Sequence, residues 1–169
     1  MKYSGLIMND VTGAPGLSVS FFTQGCPHRC PGCHNPETWD FEGGKEFTMD
    51  TLNTIIEGLY AQGIERNFCV MGGEPLCPEN TFLTYMVIKT VRDTYPDVKI
   101  YVWTGYTIEQ LVKSGYPKIK EILEMTDILI DGPYIERERD ITLEMRGSRN
   151  QRILDLSENF LYNLLEEEK

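Results

Sequence analysis

Thr23-Gln-Gly-Cys-Pro-His-Arg-Cys-Pro-Gly-Cys-His-Asn35 sets three cysteines, Cys26, Cys30 and Cys33, in a Cys-x3-Cys-x2-Cys spacing within a loop crowded with Gly and Pro. Thiols this close cannot all pair with one another, and an odd number argues against a disulfide clip. Soft sulfur ligands at short spacing suit zinc or an iron–sulfur cluster. Ligand count separates the two. Structural zinc wants four protein ligands, whereas a four-iron cluster on three cysteines leaves one iron open for a substrate.

Working outward, Val19 to Phe22 is a short apolar run that reads as the first core strand. The cysteine loop therefore hangs from the C-terminal end of a strand, where open parallel sheets and barrels place their chemistry. Residues 3–17, rich in Gly, Asp, Asn and Pro, read as a turn-rich lead-in. After the loop, Leu52, Ile55, Ile56, Leu59 and Tyr60 recur at helical spacing, with Thr48 as cap, Asp50 in the first turn and Gly63 as stop. Asn67 to Met71 is a buried strand that runs straight into Gly72-Gly73-Glu74-Pro75. A second helix carries Leu83, Met86, Val87, Thr90 and Val91 on one face and ends near Pro96. Lys99 to Trp103 is the next strand, with Thr104-Gly105 at its end.

Helical material between Ile108 and Met125 is broken around Gly115 and Pro117. Ile128 to Ile130 is another strand, stopped by Asp131-Gly132-Pro133, and residues 134–151 show no clear period. Arg152 to Leu156 reads as a last strand, and Ser157 as the cap of a final helix through Leu165, whose closing Glu166-Glu167-Glu168 opposes the helix dipole and frays. Alternating strands and helices imply βαβ units and a mostly parallel sheet, an α/β fold. About five strands are too few for the eight of a closed barrel. The expected architecture is an incomplete βα barrel of about five parallel strands, open on one side, in a single domain over residues 1–169.

Composition narrows the function. The hydrophobic share of 41% and charged share of 25% are those of an ordinary globular chain with a core of its own. A net charge of −10 repels a polyphosphate backbone, so nucleic acid is not an expected partner. The opening MKYSGLIMND lacks the apolar run of a signal peptide, and no stretch approaches the roughly 18 apolar residues of a membrane span. Five cysteines, three of them clustered, point to a reducing cytoplasm.

The triplet followed by Gly72-Gly73-Glu74-Pro75 resembles the radical S-adenosylmethionine (radical SAM) superfamily. Further matches are Gly13-x-Pro-Gly16, Phe21-Phe22-x-x-Gly25-Cys26, Cys30-Pro-Gly-Cys33-His-Asn35, Thr38-Trp39, Trp103-Thr-Gly-Tyr106, Asp131-Gly132 and Arg146-Gly-Ser-x-Asn150-Gln151. Together they are similar to the activating proteins of anaerobic ribonucleoside-triphosphate reductases, from about residue 11 to about residue 152. The resemblance implies an open barrel of the radical SAM type and a [4Fe-4S] cluster on Cys26, Cys30 and Cys33. S-adenosylmethionine (SAM) would be chelated at the open iron. An electron from a donor such as flavodoxin or ferredoxin would cleave SAM to a 5′-deoxyadenosyl radical. That radical would take hydrogen from a glycine of the reductase, the protein partner.

The resemblance also assigns SAM contacts, each beside a plainer alternative. Gly72-Gly73 would bring backbone carbonyls to the amino group, and Glu74 would accept from it or merely brace the loop. Gly32 stands where superfamily members often carry an aromatic against adenine; His34 is the substitute, or a cap on the loop. Cys33 belongs to the same adenine-side segment. Thr104-Gly105 and Asp131-Gly132 would touch ribose or carboxylate, or simply turn the chain. Arg146, Arg149, Asn150 and Arg152 form a basic stretch that would reach SAM's carboxylate or the partner, or else be a solvated loop. Cys69 and Cys77 read as buried thiols, and Trp39 as packing under the cluster loop. Two rivals stay open: a radical SAM enzyme acting on a small molecule, like a deazapurine synthase, and a zinc-stabilised interaction module with Cys77, His28 or His34 as fourth ligand.

Overall fold

Alternation decides which face of each strand is buried against helices. The computed structural model describes residues 1–156 together with Phe160, Asn163, Leu164 and Glu166. Strand β1 spans Lys2–Asp10, β2 Ser18–Thr23, β3 Lys45–Glu46, β4 Asn67–Gly72, β5 Ile100–Trp103, β6 Ile128–Asp131 and β7 Arg152–Asp155. They form a seven-stranded sheet in the order β3-β1-β2-β4-β5-β6-β7. Helices α1 (Met49–Leu59), α2 (Thr81–Thr94), α3 (Ile108–Ser114) and α4 (Ile119–Met125) connect the parallel strands.

Val19, Phe21, Phe68, Val70, Ile100, Val102 and Leu129 point to one face and are buried against Ile55, Leu59, Val87, Ile88, Val91 and Ile122 of the helices. Full burial of one such side chain is worth about 1.5–3 kcal/mol, so this face is what holds the α/β layers together. The opposite face carries a smaller set, Ala14, Cys69, Tyr101 and Ile130, with Met71, Trp103 and Met145 against it. Helix ends follow local chemistry. Thr48 with Thr51 and Thr107 with Gln110 make reciprocal capping boxes, and left-handed Gly115 ends α3 before α4 begins.

Two expectations are corrected. Among the described residues the sheet has seven strands rather than about five, and its parallel pairs are β2–β4, β4–β5 and β5–β6. The last strand, β7, runs antiparallel to β6 because the 134–151 segment brings the chain back without a crossover helix. The lead-in is the second correction. Lys2–Asp10 is a strand antiparallel to β2, irregular between Tyr3 and Gly5 and between Ile7 and Asp10. Its Gly, Asn and Asp masked the pattern: Tyr3, Leu6 and Met8 pack on the main core while Ile7 faces out at 46% exposure. The break near Gly115 and Pro117 is as expected. The expected cap Ser157 and the helix end at Leu165 lie outside the described residues; Phe160 and Leu164 are helical and pack on the main core. Among the described residues no helix is long and apolar enough to cross a membrane.

The junction of β6, β7 and α3 is an ion-pair triad. Asp131, fully buried, accepts from Ile108 N at 2.8 Å and from Arg152 Nε at 2.8 Å, and pairs with Arg152 Nη2 as well. Arg152 also forks onto Glu109 at 3.1 and 2.8 Å. Arg152→Leu should strand Asp131 and lower stability by about 3 kcal/mol, the scale for breaking a buried pair. Adding Asp131→Asn should recover most of that in urea unfolding. Hydrogen bonds from Arg152 hold the Glu109 carboxyl down from 4.5 to about 2. A depressed carboxyl stabilises above its unfolded value and stops doing so as pH falls through the folded one. Unfolding free energy should therefore slope downward from pH 4.5 towards pH 2, and Glu109→Gln should flatten that slope.

Candidate functional site

The C-terminal ends of β2, β4 and β5 meet around one cleft of about 700 Å³. Cys26, Cys30, Cys33, His34, Thr104 and Arg146 are among the side chains that line it. All three cysteines are free and half-buried. The loop that bears them leaves β2 through Gly25, whose N–H donates to Thr38 O at 2.7 Å, and Cys26 N donates to Trp39 O at 3.2 Å. Trp39 thus braces the base of the loop through its backbone, and the short helical turn Pro36–Thr38 is part of the support.

Backbone N–H groups face the sulfurs: those of His28 and Arg29 reach Cys26, that of Tyr134 reaches Cys30, and Asn35 N lies 3.4 Å from Cys33 Sγ. Burial nonetheless pushes the Cys26 thiol up to about 11 and raises Cys30 as well. A bound metal's positive charge would reverse that. Among the described residues no group of three His, Cys, Asp or Glu side chains is gathered for a single metal ion. Three free thiols are one ligand short of a structural zinc set and fit a four-iron cluster with one open iron. Of the three candidates for a fourth zinc ligand, His28 is engaged by Glu74 at 2.7 Å and Cys77 donates its thiol to Glu74 O at 3.2 Å. His34 alone lies exposed at the cleft.

Glu74 is 1% exposed and saturated. Oε1 accepts from Leu76 N at 2.9 Å and Thr104 Oγ1 at 2.7 Å; Oε2 accepts from Gly105 N at 2.7 Å and meets His28 Nε2 at 2.7 Å. Of its two sequence readings, bracing the loop is the one these bonds describe. Thr104 is engaged too, its hydroxyl donating to Glu74 and accepting from Tyr106 N at 3.2 Å.

The glycines are explained by packing inside the protein. A Cβ on Gly73 would lie 2.3 Å from Gly25 O, and one on Gly72 2.6 Å from Thr23 N. The Gly pair is what lets the end of β4 lie against the root of the cysteine loop. A Cβ on Gly105 would strike the His28 ring at 2.6 Å. Gly32 has a left-handed φ of +75° and faces the Glu136 carboxylate, 2.6 Å from where a Cβ would sit. Any side chain there would have to adopt the strained left-handed backbone, while the exposed Glu136 side chain could swing aside. Gly32 does not line the cleft, and neither do Asp131, Arg149, Asn150 and Arg152; Cys33, His34, Gly72, Gly73, Glu74, Thr104, Gly105, Gly132 and Arg146 do.

Asp131 and Arg152 are taken up by their triad. Arg146 lines the cleft, donates from Nη1 to Gln151 O at 3.1 Å, and has a buried Nε with no hydrogen-bond partner. It is held there by Met145, left-handed at φ 55° and tied through its carbonyl to Trp103 Nε1 at 2.8 Å.

Three contributors escaped the sequence reading. Asn80, at the start of α2, gives its amide to the carbonyls of Gln24, Gly25 and Glu74 at 3.0, 3.2 and 2.9 Å. Gln24 ties the far side of the loop by donating to Glu37 O and Asp40 O. Asp10 lines the cleft, 5% exposed. Burial works to raise its carboxyl, but hydrogen bonds from Ser20, Thr12 and Gly13 prevail and hold it below its usual range. Asp10-x-Thr12-Gly13 was the available signal, hidden by reading the segment as turns.

Comparison with known proteins agrees with this geometry. Residues 11–154 match the family described as "4Fe-4S single cluster domain". The chain is 35% identical over 152 residues to the anaerobic ribonucleoside-triphosphate reductase-activating protein of Vibrio cholerae serotype O1, covering 89% of this chain and 96% of that one. To the protein of the same name from Escherichia coli K12 it is 32% identical with the same coverage. To that of Enterobacteria phage T4 it is 35% identical over 156 residues, 90% of this chain and 93% of the other. With a thiol triplet on a strand-end cleft and this likeness along nine-tenths of its length, the chain belongs to the family of anaerobic ribonucleoside-triphosphate reductase-activating proteins.

Proposed function

We propose that this chain activates an anaerobic ribonucleoside-triphosphate reductase by forming a glycyl radical on it, with residues 1–169 acting as one radical SAM unit in a reducing cytoplasm. The observation that carries the reading is the cleft itself, where Cys26, Cys30 and Cys33 face the ends of β4 and β5. With helices on one face of the sheet and the cleft on the other, we read the architecture as an incomplete βα barrel. When bound, a [4Fe-4S] cluster supplies the electron, received from a donor such as flavodoxin or ferredoxin, that cleaves SAM and so yields a hydrogen-abstracting 5′-deoxyadenosyl radical.

The chain's own residues orient and shield. Cys26, Cys30 and Cys33 hold the cluster. Among the described residues no hydrogen bond is made to the Gly73 carbonyl, which leaves it for an ammonium group. His34, exposed at the cleft, takes the adenine side. Arg146, with its unpartnered Nε, meets an anion, either SAM's carboxylate or a group of the reductase. Met71, Trp103 and Met145 give the cleft a partly apolar wall that limits water around a radical. A glycine is a suitable target because no side chain blocks its Cα and two amides delocalise its radical. The net charge of −10 keeps nucleic acid away from the protein.

Cys26→Ala, Cys30→Ala and Cys33→Ala should each abolish cluster binding and activity, while Cys69→Ala, buried on the sheet's inner face, should keep its iron. Iron content and visible absorbance after anaerobic reconstitution check this, and one triplet variant with full iron would overturn the assignment. Gly73→Val should weaken SAM binding and disturb the cluster loop as well, because its Cβ lands on Gly25 O; titration and iron content read the two losses. Reduced protein with SAM should give a glycyl radical in electron paramagnetic resonance only when the reductase is added. Replacing the reductase's target glycine with alanine should remove the signal. Turnover of a free small molecule with no protein radical would transfer the case to the small-molecule enzyme.

A further inference from the structure

We infer that Glu74 is a positioning residue that latches the cysteine loop to the ends of β4 and β5 through His28, and does not itself bind the ammonium group of a ligand. The inference rests on the reading that the loop carries a cluster. It starts from the acceptor capacity of one carboxylate. An ionised carboxylate offers about four lone-pair sites, and four donors already occupy them at 2.7 to 2.9 Å. At 1% exposure the group has no open side. An incoming ammonium would have to expel a backbone N–H, a hydroxyl or the His28 ring, leaving that donor buried and unpaired.

The four donors come from three pieces of chain. Leu76 belongs to the segment of Glu74 itself, Thr104 and Gly105 follow β5, and His28 sits between Cys26 and Cys30. His28 is thus the loop's handle. With the carboxylate ionised, Nε2 is the donor. Tyr106 packs its ring edge-on against the imidazole, with centroids 4.5 Å apart, and Gly105 lacks the Cβ that would displace it. Asn80 adds a second tie at the loop's root by donating to the carbonyls of Gln24 and Gly25 and to that of Glu74. The loop's attitude over the cleft is therefore set through the side chains of Glu74, His28 and Asn80.

The test compares Glu74→Gln, His28→Leu and His28→Gln after anaerobic reconstitution, reading iron release to a chelator and SAM affinity of the cluster-loaded protein. Glu74→Gln offers one acceptor oxygen where two are used, and His28→Leu removes the handle. Both should release iron on the order of tenfold faster, the scale for losing a partner behind a metal ligand. His28→Gln sets an amide N–H near the place of Nε2 and should restore slow release, which a mere packing role for the ring would not predict. SAM affinity of loaded Glu74→Gln should stay within about threefold of the original, well inside one decade of affinity. Wild-type iron release with weakened SAM binding in Glu74→Gln would make Glu74 the ammonium ligand and overturn the inference. So would wild-type release in His28→Leu, or equal release from the two His28 variants. If Glu74→Gln fails to fold, the His28 pair carries the test, since His28 is 19% exposed and its loss leaves Glu74 three donors. A wild-type chain that takes up no cluster would instead defeat the functional reading itself.

Discussion

A carboxylate removed from water must find donors for both oxygens or become neutral. Glu74 finds its donors on the loop before it, the strand beside it and the segment after it. That single requirement joins three parts of the chain, with partners as far as 46 residues from Glu74 itself. Parallel strands pair along their length, but that pairing alone leaves the loops at their ends free to swing. Here a charged hub removes that freedom, and its low-dielectric surroundings strengthen each charge-assisted bond. The same surroundings make any missing donor costly, so the hub works as a set.

Motif glycines acquire a second meaning in this light. Gly72, Gly73 and Gly105 each stand where a Cβ would collide with backbone or with the His28 ring. Close packing of loop against loop demands small residues whether or not a ligand is present. The glycines that permit this tight approach are also ones that line the cleft. The short form of the motif thus encodes the shape of the cleft floor before it encodes any contact with what the cleft holds.

Much of this was legible because strong periodicities override local ambiguity. The strand cores Val19–Phe22 and Asn67–Met71, both long helices and the break near Gly115 all carry clear hydrophobic or capping signals, and so does the position of the thiol loop after a strand. Strand β1 was not legible, because Gly5, Asn9 and Asp10 interrupt its apolar alternation and mimic a turn, and its two irregularities break the period further. The direction of β7 was hidden because its Arg152-Ile-Leu-Asp155 pattern is the same whichever way it pairs. In the site, residue types were readable but loyalties were not. Glu74 and Thr104 look like ligand contacts in sequence, and only their three-dimensional neighbours show them bonded to each other. Asn80 occupies the start of a helix, where an asparagine side chain ordinarily caps the first turn. Its amide goes instead to three carbonyls of the cluster side.

The cysteine loop itself has little to hold it. Between Cys26 and Cys33 its one internal backbone bond is Cys33 N to Cys30 O at 3.1 Å, and Arg29 sits in left-handed conformation at φ 48°. Such a backbone is unfavourable for a residue with a side chain. Its geometry comes from outside: the root bonds to Thr38 and Trp39, the His28 handle and the Asn80 tie. Those contacts hold the ends and the middle while leaving the sulfurs at the cleft. On the proposed reading, ligation of a cluster would supply the remaining stabilisation, because a loop already tied at its ends and middle loses less entropy on binding than a free one. Burial pushes the Cys26 thiol up to about 11, and the N–H groups of His28 and Arg29, beside the left-handed turn, work against that rise.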